Sequence, residues 1–261
     1  MKKLFLLCSF VGLCSGTAIA AESPWTGTWK LNPAASNFTG QTFTYSKGTG
    51  DMLHYEDGSS ASFDFGVDGK EYKTWANRTT TWTATGKNAW DRISKADGKV
   101  LSKGHIALSA DGNTLTMRST GTRPDGKTFH EEDVFTRVSG TEGLLGTWRA
   151  AKVVDPVAPE TFIISSPAPG LVHEEVPDMK ASLEGPTDGS DLALSGPNLP
   201  PAMTIAFKPV TPTKMSYVIK INGKADSIGE QTIAADGRSF MDVSWNPGRE
   251  NEKSTAVYVK Q

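Results

Sequence analysis

The sequence predicts an all-β protein, two tandem antiparallel β-barrels behind an N-terminal signal peptide, and three observations predict it. A pattern that opens on Gly27-Thr28-Trp29-Lys30 returns at Gly146-Thr147-Trp148-Arg149, about 120 residues later. Turn dipeptides of the Asx-Gly type punctuate both halves, and the runs between them alternate in period two with Thr, Val, Tyr, Phe and Trp. Small insertions between fixed turns are what two copies of one folded unit accumulate, so the repeat reads as a duplication.

Residues 1–20 come first. Lys2 and Lys3 supply a charged start, Leu4 to Leu13 an apolar middle, and Ala18-Ile19-Ala20 a small-x-small cleavage site, which predicts a mature chain beginning at Ala21. The apolar run is shorter than the roughly 20 residues of a spanning helix, so the expected product is periplasmic or secreted, with no membrane insertion. Cys8 and Cys14 both fall inside this segment, which leaves no thiol for catalysis or zinc–thiolate binding and no disulfide. Leu13 precedes Cys14 where a lipid-modified cysteine would follow a small residue. Without Lys2 and Lys3, 25 basic residues face 29 acidic ones, so no electrostatic case exists for nucleic acid.

The first copy, residues 21–140, carries turns at Asp57-Gly58, Asp68-Gly69, Asp97-Gly98, Asp111-Gly112 and Asp125-Gly126. The second, residues 141–261, carries them at Asp188-Gly189, Asn222-Gly223 and Asp236-Gly237. Asx-Gly supplies the positive φ angles of hairpin turns, so each copy reads as a meander of about eight or more strands that closes to hide its edges. The linker near Ser139-Gly140-Thr141-Glu142-Gly143 is short, which predicts barrels in contact. Each copy begins with Gly-x-Trp and ends with an aromatic and a base, Phe135 with Arg137 and Tyr258 with Lys260. A base from the last strand lying over the indole of the first would seal each barrel, so Arg137 is expected on Trp29 and Lys260 on Trp148.

Those residues carry a resemblance. Gly27-Thr28-Trp29-Lys30-Leu31 with Phe135-Thr136-Arg137 is similar to the calycin signature of lipocalins and fatty-acid-binding proteins. The longer string through Asn32-Pro33, with Asp68-Gly69-Lys70-Glu71-Tyr72 and Leu108-Ser109-Ala110-Asp111-Gly112-Asn113-Thr114-Leu115, resembles a family of exported bacterial lipocalin-like proteins. The resemblance spans nearly all of the first copy and is weaker over the second, where Lys260 replaces the arginine. It implies lipocalin-like barrels and no particular activity.

Two constellations carry possible chemistry. On a strand, residues two apart share a face, so His54 can stand beside Glu56, and His173 beside Glu175, as a base with its partner or as two metal ligands. A third ligand is missing, so no metal site is expected, and a solvated strand face is the plainer reading. Trp75, Trp82 and Trp90 on neighbouring strands, with Tyr55, either line a pocket for a flat apolar ligand or fill a small barrel. Five of the seven tryptophans lie in the first copy and twelve of the 15 prolines follow residue 140, which points any ligand to the first barrel and irregular connections to the second. No nucleophile elbow, phosphate loop, His-Glu-x-x-His or dinucleotide fingerprint occurs. The sequence therefore favours a cofactor-free binding protein for a small apolar or aromatic molecule. The alternatives are a barrel hydratase, isomerase or hydrolase using His54 and Glu56, and a structural envelope module.

Overall fold

A computed structural model describes residues 23–154, 156 and 158–261; the expected signal peptide, residues 1–20, lies outside them. The first half holds β1 (Gly27–Leu31), β2 (Thr42–Lys47), β3 (Leu53–Glu56), β4 (Ser62–Phe65), β5 (Asp68–Lys73), β6 (Arg78–Gly86), β7 (Ala89–Ala96), β8 (Lys99–Leu108), β9 (Thr114–Thr122) and β10 (Thr128–Ser139). The second holds β11 (Gly146–Val154), β12 (Thr161–Ser165), β13 (Leu171–Val176), β14 (Ala181–Pro186), β15 (Asp191–Ala193), β16 (Met203–Thr211), β17 (Lys214–Ile221), β18 (Lys224–Ile233), β19 (Ser239–Trp245) and β20 (Ser254–Lys260). They form two 10-stranded antiparallel sheets, each curled into a nearly closed barrel. No helix among the described residues is long and apolar enough to cross a membrane.

The barrels do not coincide with the sequence copies. One sheet runs β4-β3-β2-β11-β10-β9-β8-β7-β6-β5 and the other β14-β13-β12-β1-β20-β19-β18-β17-β16-β15. The two Gly-x-Trp strands have changed places: β11 closes the first barrel between β2 and β10, and β1 closes the second between β12 and β20. The expected boundary at residue 140 therefore falls inside a hairpin of the first barrel. Its cause is the short linker, where Gly140 and Gly143 adopt positive φ and fold β11 straight back onto β10. The first barrel is thus one continuous stretch, 42–154, set into the second between β1 and β12.

The registers are equivalent. Trp148 stands opposite Phe43 and Arg137, and Trp29 opposite Phe162 and Lys260. Both indoles are fully buried, and each Nε1 donates over 2.8 Å to the carbonyl four residues upstream, Trp25 or Leu144. The expected cation pairing is corrected by the exchange. The Arg137 guanidinium lies 4.1 Å from the Trp148 ring, and the Lys260 ammonium 5.2 Å from the Trp29 ring. Arg137 also donates to the carbonyls of Gly112, Leu145 and Gly143, knitting the loops at that end, which the single ammonium of Lys260 does not do.

The barrels touch through polar contacts. Thr42 donates its N–H and hydroxyl to Glu252, Arg249 donates to the Thr42 carbonyl at 3.0 Å, and Asn246 donates to the Asp57 carbonyl at 2.8 Å. Arg123 pairs with Glu160, and Ser60 bonds Asp226. Such polar bonds are individually modest. A fragment comprising residues 38–156 is expected to fold on its own as a monomer with cooperative thermal unfolding. A non-cooperative melt would show that the first barrel depends on the second.

Candidate functional site

The matching registers allow the interiors to be compared position by position. Cross-strand neighbours Tyr45, Tyr55 and Phe63 in the first barrel correspond to Ile164, Glu174 and Leu183 in the second. Trp82, Arg92, Trp90 and Ile106 correspond to Phe207, Tyr217, Met215 and Gln231. At most of these places the first barrel holds the larger apolar group.

The first barrel is accordingly filled around Trp82 and Trp90. Trp82, 3% exposed, packs 4.9 Å from Phe65 and 6.2 Å from Tyr45, and Trp90, 8% exposed, belongs to the same core. Trp75 sits in the turn before β6, with the Arg78 guanidinium 5.1 Å from its ring. Tyr55 packs 5.1 Å from Phe63 and donates to Asp57 at 3.0 Å. It lines a cavity of about 280 Å³ with Phe43, Phe135 and Asp133, bordered by Asn246 and Ser254 of the second barrel. Of the four residues expected to bind ligand, only Tyr55 lines either cavity described here.

The larger cavity, about 640 Å³, lies in the second barrel at the end where β1 begins. Trp25, Ile164, Val172, Phe207 and Met215 supply apolar wall, and Glu174 and Gln231 reach it from β13 and β18. Trp25 is held by an Nε1–H bond of 3.2 Å to the Pro212 carbonyl, which ties the entering chain to the β16–β17 turn. The proline-rich loop Ser166–Gly170 borders the opening, which agrees with the irregular connections expected of this copy.

Glu174 is 7% exposed, and its carboxyl makes no hydrogen bond or ion pair among the described residues. Burial, and then the nearby Asp242 carboxyl, push its pKa up to about 8, so it is mostly neutral at pH 7. Asp242 is also raised by burial, although Gln231 donates to it at 3.0 Å and Tyr217 at 2.8 Å. Gly229 makes room for that tyrosine, since a Cβ there would lie 2.3 Å from the Tyr217 ring. On sequence grounds His173 and Glu175 are singled out and Glu174 between them is passed over. The signal was its phase: Val172, Glu174 and Val176 share one face, so an acid interrupts an inward apolar stripe.

The histidine pairing needs one correction. His54 does not use Glu56; its Nδ1 meets Asp64 at 2.7 Å and its Nε2 meets the Ser62 hydroxyl at 3.3 Å. His54 and Asp64 are directly opposed across β3 and β4, nearer than residues two apart on one strand. The His54 bond, followed by those from Thr49, lowers the Asp64 pKa. The Ser62–His54–Asp64 order is that of a serine hydrolase relay, yet neither cavity adjoins it. His173 does bond Glu175 at 3.1 Å, and Glu184 at the same distance, and the Glu175 bond leads the causes that raise its pKa.

In comparisons with known proteins, no family model, no curated protein and no solved structure matches the chain.

Proposed function

We propose that the protein is an exported, non-enzymatic carrier that holds one small apolar or aromatic molecule inside its second barrel. The observation that carries this reading is the 640 Å³ cavity, whose wall is mainly apolar with polar groups such as Glu174 and Gln231 set into it, which is the usual make-up of a small-molecule site. The calycin-type resemblance and the signal segment support it from the sequence side. The barrel assignment departs from the sequence expectation: Trp82 and Trp90 pack the interior of the first barrel, and smaller residues at matching positions leave room in the second.

Titration with 1-naphthalenemethanol tests the reading, because the ring would rest against Trp25. Saturable quenching is expected in the full chain and should be much reduced in Trp25→Phe, with the binding itself retained by calorimetry. Absence of calorimetric binding by the full chain would overturn the assignment for aromatic ligands of this size.

A further inference from the structure

The second barrel's interior is polar in an unusual way. Its acceptors are two carboxyl groups, Glu174 and Asp242, with the phenols of Tyr217 and Tyr258 and the amide of Gln231 beside them. Neither carboxyl forms an ion pair with a lysine, arginine or histidine among the described residues, although buried charges in folded proteins are normally paired. Gln231 and Tyr217 occupy Asp242, whereas Glu174, more than nine-tenths buried and unpartnered, faces the cavity. The first barrel differs at these positions, with the arginine Arg92 in place of Tyr217 and Tyr55 in place of Glu174.

From this arrangement we infer that the ligand of the second barrel carries a protonated amine, seated against Glu174 with Asp242 adding to the negative potential behind it. The inference rests on the cavity being the ligand site. An ammonium supplies the countercharge and the hydrogen-bond donors that Glu174 lacks, while its apolar remainder takes the place against Trp25, Ile164 and Met215. An alcohol of the same shape gains only a neutral hydrogen bond, and a carboxylate meets two acids. The groups that bear on Glu174 are Asp242 from β19 and Tyr258 from β20, and neither can neutralise it. Seating an amine therefore converts a neutral Glu174 to its carboxylate, with the proton passing to solvent.

The test is calorimetric titration of the full chain at pH 7 with 1-naphthylmethylamine, 1-naphthalenemethanol and 1-naphthoate, in two buffers of different ionisation enthalpy. The amine is expected to bind at least about tenfold more tightly than the alcohol and to release about one proton, with the naphthoate weakest. Glu174→Gln should retain alcohol binding, which shows that the cavity is intact, while losing both the amine preference and the proton release. Equal binding of amine and alcohol, or an amine preference that survives Glu174→Gln, would overturn the inference and leave the cavity as a ligand site. Failure of all three compounds to bind would overturn the cavity reading and the inference together.

Discussion

Trp29→Ala will loosen the second barrel and leave the first intact, and Trp148→Ala will do the opposite. Each indole is fully buried and sits in the strand that joins the two ends of a neighbouring copy's meander. Truncating a buried tryptophan to alanine costs about 3 to 5 kcal/mol, a large share of the stability of a domain of this size. Hydrogen exchange resolved by peptide separates the two outcomes. In Trp29→Ala, protection should fall across β12 and β20, which flank β1, while β2 and β10 keep theirs. In Trp148→Ala, β2 and β10 should lose protection. A loss at β2 and β10 in Trp29→Ala would mean that each copy closes its own barrel, and the exchange would be refuted.

Stability should be highest near pH 5 and fall steadily to pH 8.5. Glu174 ionises near its ordinary 4.5 in the unfolded chain but at about 8 in the barrel. Between those values unfolding releases a proton, so raising the pH favours the unfolded chain, and above about 8 the loss is complete. At about 1.4 kcal/mol per pH unit, the upper bound for this group is on the order of 5 kcal/mol. Asp133 in the first barrel, raised to about 7 by burial, acts in the same sense. So does His173, whose raised pKa stabilises the protein at low pH and ceases to as pH rises through its folded value. On the acid side Asp64, Asp68, Asp111 and Asp188 are lowered, so their support is lost as pH falls through their folded values. Thermal melts from pH 4 to 9 read this directly, and Glu174→Gln should flatten the alkaline limb. A wild-type melting temperature that rises between pH 5.5 and 8.5 would show that Glu174 is not buried as an acid.

The fold class was legible because hairpin turns and period-two alternation are local properties. Asp97-Gly98 and Asn222-Gly223 mark their turns whatever else the chain does. The strand exchange was not legible, since β1 and β11 carry the same Gly-Thr-Trp and either can complete either barrel; the choice rests on the geometry of six linker residues, Gly140 to Leu145. The place of the larger cavity was not legible, for a volumetric reason. Counting tryptophans as pocket lining overlooks that Trp82 and Trp90 occupy the space a ligand would need, and that Met215, opposite Gln231, leaves it free. Glu174 was within reach of sequence reasoning through its inward phase, but its exposed neighbours His173 and Glu175 drew attention to the outer face.

The relation between Trp90 and Met215 supplies the most direct measurement. Met215→Trp places in the second barrel the side chain that fills the first at the matching position, so the fold should tolerate it while the cavity closes. Calorimetric titration of this variant with 1-naphthalenemethanol, alongside the wild-type chain, is expected to show binding in the wild type and its loss in a variant with an unchanged circular dichroism spectrum. Undiminished binding to Met215→Trp would put the ligand elsewhere on the protein and contradict the assignment of the second barrel as the site.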